Sequence, residues 1–268
     1  MTPGRGIGEL LEKLYRDYNR REFVHPDPLE FLYAYPSIRD REVAGLVASV
    51  LAYGRVTLIL RSVKAVLDVM EPSPAAFVTD SSVKSLMRAF PGFKHRFTTG
   101  EELGRLLVGV KRALEERGSL NACFADGLEK GDETVVPALC RFTSELAGLS
   151  GNSCDFLLPN PGRGSACKRL NLFLRWMVRR DRVDPGGWTG VPRSKLVVPL
   201  DTHMYRVGSA FGFTTRRSAD LRAATEITAG FRGIVPADPV RYDFCLTRLG
   251  IRDEMSLDDF LSTVDKKQ

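Results

Sequence analysis

The chain has few of the residues that usually hold metals or form disulfides. Of its 268 residues, five are cysteines and three are histidines. No two cysteines form a C-x-x-C pair, and no histidine stands at the spacing of zinc ligands. The cysteine total is odd, which does not suit a set of paired disulfides. We therefore expect no metal, no iron–sulfur cluster, no disulfide framework and no bound cofactor.

Long apolar segments are also missing. No hydrophobic run approaches the roughly 20 residues that a helix needs to cross a bilayer. The first residues, MTPGRGIGELLEKLYRDYNRR, lack the apolar segment of a secretory signal. With 43% hydrophobic residues, the composition is that of a globular protein with a proper core. We expect a cytoplasmic protein without a membrane partner.

The charge balance is moderately basic. Lysine and arginine number 39 against 33 aspartates and glutamates, which gives a formal net charge of +6. Basic proteins of this size commonly bind nucleic acid, but a solvated lysine and arginine surface gives the same total. The net charge alone leaves both interpretations open.

Apolar residues recur at helical spacing along almost the whole chain, and no segment alternates convincingly with period two. This pattern predicts an all-α protein of about ten helices. Thr99 and Glu102 form a predicted capping box, and Gly118 is the predicted end of that helix. Further helix starts are predicted at Asp201, Ser218, Asp238 with Pro239, and Ser256.

The segment PNPGRGS is predicted to be a turn that leads directly into a helix. Gly162 and Gly164 can adopt positive φ and leave their amides unshielded, and Ser165 can cap the helix that follows. Several amide donors would then meet the positive end of a helix dipole, which makes a phosphate-sized anion site. A plain helix–helix turn with good capping explains the same residues, and both alternatives stay open.

The helix after this turn has basic residues on one edge of an otherwise apolar surface. Lys168, Arg175 and Arg179 fall within a few tens of degrees of each other, and Arg169 and Arg180 flank them. So apolar a helix must be largely buried, and its basic edge is expected to face a groove. This favours a polyanionic partner, although ion pairs with neighbouring acids remain an alternative.

Lys168 and Asp201 are the candidate catalytic pair. In the first turn of a helix, the dipole and adjacent arginines disfavour the ammonium form of Lys168, and a neutral amine can form a Schiff base. Asp201 is expected to cap its own helix and to stabilise a cationic, oxocarbenium-like sugar while it orients or deprotonates the amine. The simpler alternatives are a surface lysine and a cap with no further role.

Together, these segments resemble the helix-hairpin-helix DNA glycosylase (HhH-GPD) superfamily, which includes endonuclease III and the 8-oxoguanine glycosylases. VPLDTHMYRV is similar to that superfamily's V-D-T-H-x-x-R-V segment, and NPGRGS is a looser match to its L-P-G-V-G-x hairpin. The similarity extends over most of the chain from about Pro28. The pattern looks most like a bacterial branch that is itself similar to archaeal 8-oxoguanine DNA glycosylases.

The resemblance implies one HhH-GPD-like domain over residues 1–268, with two helical lobes, a central cleft and a helix-hairpin-helix element. The middle lobe would span about 42–180, and the second lobe would combine 1–41 with 195–268. The partner would be double-stranded DNA containing a damaged base, bound by a monomer associated with the nucleoid. Lys168 would attack the sugar C1′ of an extruded oxidised purine, with 8-oxoguanine the first candidate, and Asp201 would be the catalytic aspartate. The resulting imine would permit cleavage of the strand at the abasic site.

The resemblance also suggests contact residues. DNA contacts are expected from Gly162, Arg163, Gly164, Ser165, Arg169, Arg175 and His203. Base recognition is expected from Tyr53, Arg55 and Trp188. A helix-packing role for His203 and a loop-anchoring role for Trp188 are the alternatives.

The chain departs from the superfamily pattern at the hairpin. In the superfamily pattern, the lysine follows the second hairpin glycine by two residues, whereas in this chain Lys168 follows Gly164 by four. Two residues correspond to about 200° of helix, so either the hairpin ends later or Lys168 is misassigned. A non-catalytic module that binds DNA or structured RNA is the alternative function, and an interaction domain that has lost the chemistry is a third.

Overall fold

A computed structural model describes residues 3–151, 155–249 and 257–265, and it confirms the all-α prediction. The thirteen α-helices of these residues are α1 Pro3–Tyr18, α2 Ile38–Val50, α3 Val56–Val69, α4 Pro74–Asp80, α5 Val83–Met87, α6 Gly100–Arg117, α7 Leu120–Ala125, α8 Val136–Leu149, α9 Lys168–Val178, α10 Thr202–Ala210, α11 Leu221–Ile234, α12 Asp243–Arg248 and α13 Leu257–Asp265. Short 3-10 helices span Arg21–Phe23, Pro28–Ala34, Pro161–Arg163 and Arg193–Lys195. The helix start predicted at Ser256 lies outside the described residues.

One small β-hairpin interrupts the helices. Its strands are β1 Lys94–His95 and β2 Thr98–Thr99, which pair antiparallel with Lys94 opposite Thr99 and His95 opposite Thr98. Residues 96 and 97 therefore form the tip of the hairpin. Two residues per strand are too few to show a period-two pattern, which is why the sequence did not predict them.

Three predicted helix ends are confirmed in detail. The side chain of Thr99 accepts from the amide of Glu102 while the Glu102 carboxylate accepts from the amide of Thr99, which is a complete capping box. Gly118 ends α6 in the left-handed conformation, with φ of 79°. Asp201 caps α10, as predicted.

Two other predicted helix starts are wrong. Asp220, not Ser218, caps α11, and the Ser218 hydroxyl instead donates to the Asp220 carboxylate. Asp238 does not cap a helix, because its carboxylate accepts from the guanidinium of Arg179, and α12 begins only at Asp243. Ser218 is bonded to Asp220 and Asp238 is bonded to Arg179, so neither side chain caps a helix.

The helices form two sets of packing contacts over a common apolar core. Helix α2 is buried at every residue from Glu42 to Val50 and packs against α9, α4 and the 3-10 helix Pro28–Ala34, while α6 packs against α4, α5, α7 and α8. The second set joins α1, α10, α11 and α12. Helix α9 belongs to the first set and α10 to the second, so Lys168 and Asp201 come from different sets.

The predicted lobe boundaries near 42, 180 and 195 stay a prediction. The 3-10 helix Pro28–Ala34, which the prediction placed in the second lobe, packs against α2 and α3 of the first set. Within the described residues, no helix is long and apolar enough to cross a membrane.

Candidate active site

The turn before α9 determines where Lys168 stands. The side chain of Asn160 accepts from the amide of Gly162 at 2.8 Å, and Gly164 closes the 3-10 turn with φ of 88°. Cys167 then adopts a second left-handed conformation, with φ of 47°, and α9 begins at Lys168. The turn therefore ends later than its glycines suggest, and the longer interval between Gly164 and Lys168 is taken up before the helix starts.

The predicted capping of α9 by Ser165 is wrong. Its hydroxyl accepts from the amide of Cys167 at 3.2 Å, and the N-cap of α9 is Cys167, which makes no side-chain capping bond. The first amides of α9 thus receive no side-chain acceptor from their cap.

The two carboxylate oxygens of Asp201 have different partners: one caps a helix and the other is ion-paired. Oδ1 accepts from the amide of Met204 at 2.9 Å and so caps α10. Oδ2 lies 2.9 Å from Nζ of Lys168. The side chains of Lys168 and Asp201 are 37% and 28% exposed, so solvent or a ligand can reach the pair. The structure brings the two candidate catalytic residues together.

The pair opens on a cavity of about 190 Å³ between the two sets of helices. The cavity is lined by Pro26, Asp27, Pro28, Ala52, Gly54, Val56, Ile59, Lys168, Leu172, Arg175, Pro199, Asp201, Asp243, Thr247 and Arg248. The apolar part of the wall comes mainly from the segments around α2 and α3. The charged side chains come from α9, α10 and α12 and from Asp27, which precedes the 3-10 helix Pro28–Ala34. Such a mixed wall is typical of small-molecule sites, in which a few polar groups orient a ligand.

Asp201 stays ionised in this setting. Burial by itself would raise its pKa, but the ammonium group of Lys168 and the amide of Met204 outweigh burial, and the pKa lies below its ordinary value. A carboxylate that is fixed by a helix cap and ionised at neutral pH can stabilise positive charge on a bound group.

The predicted DNA contact by Arg175 is wrong, because its guanidinium is used inside the protein. The side chain is 3% exposed and forms ion pairs with Asp184, at 3.2 Å, and with Asp243. One turn later, Arg179 is equally buried and pairs with Asp184, Asp181 and Asp238. The predicted basic edge of α9 therefore faces acids of the same chain beyond Lys168, and not a groove for a polyanion.

This buried cluster, hereafter the acid–arginine cluster, holds two arginines and four aspartates: Arg175, Arg179, Asp181, Asp184, Asp238 and Asp243. Carboxylates outnumber guanidiniums. Burial, with the neighbouring Asp181 charge in the same direction, raises the pKa of Asp184 to about 6 despite the two arginines. Burial also raises the pKa values of Asp238 and Asp243.

Two atoms of this cluster lack hydrogen-bond partners where it meets the cavity. Nη2 of Arg175 and Oδ1 of Asp243 are buried without a partner among the described residues, and both side chains line the cavity. Leaving a buried polar group unpaired costs about 1 to 3 kcal/mol. Both atoms are therefore unsatisfied inside the protein, at the edge of the cavity. Asp243 was not predicted as a site residue, and the local pattern relates it to the cavity only through its shared helical face with Thr247, four residues later.

Two other predicted DNA contacts also serve the protein interior. The guanidinium of Arg169 donates to the carbonyl of Val50 at 2.6 Å and to that of Phe156. Nε2 of His203 lies 2.9 Å from the carbonyl of Leu246, which joins α10 to α12. Both residues therefore make packing bonds, as the alternative for His203 predicted, and a phosphate contact by either residue stays a prediction.

The turn residues remain accessible. Gly162, Arg163, Gly164 and Ser165 are exposed, and Arg163 pairs with Asp155 at 2.7 Å. The amides of residues 162, 163 and 164 are bonded within the turn, so they are not the free donors that the sequence predicted. In the part of the chain that the structure describes, the amides of residues 165 and 166 have no acceptor.

The three predicted base-recognition residues lie in different places. Trp188 is buried, where its Nε1 donates to Glu42 at 3.0 Å, so it anchors its loop and does not reach the cavity. The Tyr53 hydroxyl is bonded to the carbonyl of His95, at 2.6 Å, outside the cavity wall. Arg55 is exposed and has no ion-pair partner among the described residues. Base recognition by Trp188 is therefore wrong, and its loop-anchoring alternative is confirmed.

The comparisons with known proteins give a family but no activity. A family model described as "Protein of unknown function (DUF2400)" matches residues 27–252, which include every residue of the cavity wall except Pro26. The chain belongs to the DUF2400 family. No curated protein and no solved structure matches it. Within the residues described for this DUF2400 chain, no group of three or more His, Cys, Asp or Glu side chains could hold a metal ion.

Proposed function

We propose that this protein is a DNA glycosylase with abasic-site lyase activity that excises an oxidised purine, with 8-oxoguanine the first candidate. The observation that carries the proposal is the 2.9 Å approach of the Lys168 amine to the Asp201 carboxylate at the wall of a cavity. An amine and a fixed negative charge are the two groups that cleavage of a glycosidic bond through a Schiff base requires.

The ion pair accounts for every proton of the proposed reaction. The Lys168 ammonium loses one proton through Asp201 and attacks C1′ of the deoxyribose, and the base leaves with the glycosidic electron pair and takes up that proton. A second proton passes to O4′ as the sugar ring opens. The third stays on nitrogen, and the positive charge becomes the iminium. Asp201 stabilises the cationic sugar during bond cleavage.

The cavity supports a single base as the bound group. Its volume of about 190 Å³ is below the roughly 300 to 1,000 Å³ that is common for drug-sized ligands. A base within a duplex could not reach the Lys168 amine, so the substrate nucleotide would have to be extruded from the helix.

We place the protein on double-stranded DNA as a monomer in the cytoplasm, in association with the nucleoid. This proposal uses two phosphate contacts: the amide of exposed Ser165, which has no acceptor in the described ranges, and Arg55, which has no ion-pair partner there. The buried Arg175 and Arg179 are excluded from that role.

Borohydride trapping on duplexes with 8-oxoguanine or an abasic site tests the proposal. We expect a covalent adduct with the wild-type protein and none with Lys168→Ala. Lys64→Ala is a matched control, because Lys64 is also ion-paired, with Asp68 at 2.7 Å, but lies on the exposed surface of α3. Absence of an adduct, together with salt-dependent binding that shows no preference for the lesion, would overturn the proposal in favour of a non-catalytic module.

A further inference from the structure

Two aromatic side chains lie exposed side by side next to the candidate active site. Phe97 is 67% exposed and Phe156 is 41% exposed, and their rings are 5.9 Å apart at an angle of 80°. Phe97 is the most exposed of the large hydrophobic side chains in the described residues. Adjacent exposed aromatic rings on a protein surface mark a binding site more often than an isolated apolar residue does.

Arginines and a tyrosine extend these rings into one surface, hereafter the aromatic platform, formed by Tyr53, Arg96, Phe97, Phe156 and Arg169. The Arg96 guanidinium lies 5.4 Å from the centre of the Phe97 ring, and that of Arg169 lies 4.7 Å from Phe156. Tyr53 packs edge-on against Phe156 at 5.2 Å. Flat rings alternate with flat cations, an arrangement that offers stacking and positive charge together.

The platform is held rigidly from beneath. The Tyr53 hydroxyl donates to the carbonyl of His95 at 2.6 Å and lies 2.7 Å from the hydroxyl of Thr98. The ring of buried His95 is bonded to Ser62, at 2.9 Å, and to the Tyr53 carbonyl. These bonds fix β1 and β2, so the tip that carries Phe97 projects from an anchored base. A rigid aromatic residue loses little conformational entropy when it binds.

The platform borders the cavity. Tyr53 stands between Ala52 and Gly54, both of which line the cavity wall. Arg96 is so close to Gly54 that a Cβ atom on this glycine would lie 2.9 Å from Cδ of Arg96. A ligand on the platform would therefore be a direct neighbour of a group bound in the cavity.

The positive charges on and beside the aromatic platform indicate the chemistry of its partner. Arg55 and Arg96 are both exposed and have no acidic partner among the described residues. Within the described segments, the Arg169 guanidinium is bonded to backbone carbonyls and lies against aromatic rings. The occupant must supply negative charge and flat rings at the same time. Unpaired nucleotides have both, because each base has a π face and each phosphate a charge.

We propose that the aromatic platform stacks unpaired bases of a DNA strand beside the cavity, with Phe97 as its principal contact. The choice of DNA over RNA rests on the proposed function, but the stacking itself does not require any reaction at Lys168. The platform binds the strand through its bases and leaves the cavity free for the excised one.

The test compares binding of a short fluorescent oligodeoxythymidylate with that of an abasic oligonucleotide of the same length, which keeps the phosphates but has no bases. We expect the wild-type protein to bind the oligodeoxythymidylate at least about fivefold more tightly. Phe97→Ala is expected to remove this difference and to leave binding of the abasic strand unchanged. Phe97→Trp is expected to retain it, since a larger ring stacks at least as well.

Val83→Ala is the matched control, because Val83 is also an exposed apolar residue, 42% accessible, but lies on α5. Equal binding of the two oligonucleotides by the wild-type protein, or full binding of oligodeoxythymidylate by Phe97→Ala, would overturn the inference. Tighter binding of oligouridylate would overturn the choice of DNA.

The same measurements separate this inference from the proposed function. If no adduct is trapped but the Phe97 effect is found, the glycosylase proposal fails and the platform stands. If an adduct is trapped and Phe97→Ala binds normally, the platform fails and the glycosylase proposal stands.

Discussion

At its first residue, α9 holds Lys168 in a half-exposed ion pair at the wall of a cavity. Arg175, two turns later, and Arg179, at the end of the helix, lie in the buried acid–arginine cluster. All three side chains are basic and lie on the same edge of one helix. They differ in the number of partners and in access to water. Lys168 has one carboxylate partner, whereas each arginine has two or three and is 3% exposed.

The difference shows what burial does to a charge. Removing an ion from water costs several kcal/mol, so a buried arginine must be surrounded by hydrogen-bonding acids and cannot exchange them for a ligand. A half-exposed lysine with a single partner can exchange that partner for a ligand, and its amine can take part in a reaction. We therefore assign chemistry to the beginning of α9 and stability to its second half.

The largest expected effect is the loss of reactivity in Lys168→Ala. The trapped adduct should fall below detection, because no other group in the cavity wall is an amine. The free energy of unfolding should change by no more than about 1 kcal/mol, since the ion pair is partly solvated. Urea denaturation beside the trapping assay measures both. A large loss of stability would show that Lys168, like Arg175 and Arg179, has a structural role.

Arg179→Met should show the opposite behaviour. Removing one cation from the cluster leaves Asp184, Asp181 and Asp238 buried with less compensation, which is expected to cost about 3 to 5 kcal/mol. The urea midpoint measures this loss. Below that midpoint, the folded variant should still form the adduct, because Arg179 does not line the cavity. A fully stable variant would contradict the assigned structural role.

Asp201→Asn separates the two functions of one side chain. The amide oxygen can still accept from Met204 and cap α10, so stability should be nearly unchanged. The negative charge is lost, and we expect base excision to slow by about 100- to 1,000-fold. Single-turnover release of 8-oxoguanine measures the rate. An excision rate equal to that of the wild type would limit Asp201 to capping.

The smallest expected effect is a pH dependence in the acid–arginine cluster. The pKa of Asp184 is raised from 3.8 to about 6 in the folded protein, so between these pH values the folded state binds more protons than the unfolded chain. This group therefore makes the protein more stable as the pH falls from 7 to 5, by about 1 kcal/mol.

Asp184→Asn provides the reference, because it cannot take up that proton. Urea unfolding of both proteins at pH 7 and pH 5 should show the wild type gaining stability relative to the variant at the lower pH. A difference that is the same at both pH values would show that Asp184 does not protonate in this range.

The sequence predicted those parts of the site that depend on local patterns. Asp201 was recognisable as a cap from the residues that follow it, and Lys168 as a first-turn residue from the turn before it. The left-handed N-cap of α9 at Cys167 could not be predicted, because left-handed backbone at a residue other than glycine has no reliable sequence signal.

Contacts between distant segments could not be predicted in the same way. A helical projection gives the direction in which Arg175 points but not what lies opposite, and its partner Asp243 is far along the chain on α12. The position of Trp188 could not be predicted for the same reason, because its partner Glu42 lies far away in sequence on α2. Glutamate is rarely buried, so the sequence does not suggest Glu42 as an internal partner.

The most direct test of Lys168 as the reactive amine is to find which residue carries the trapped DNA. After borohydride reduction, proteolysis and mass spectrometry should locate the deoxyribose remnant on the peptide that contains Lys168, in the wild-type protein and in Lys64→Ala alike. An adduct on another lysine or on the amino terminus, with the Lys168 peptide unmodified, would contradict the claim that this amine and Asp201 form the reactive centre.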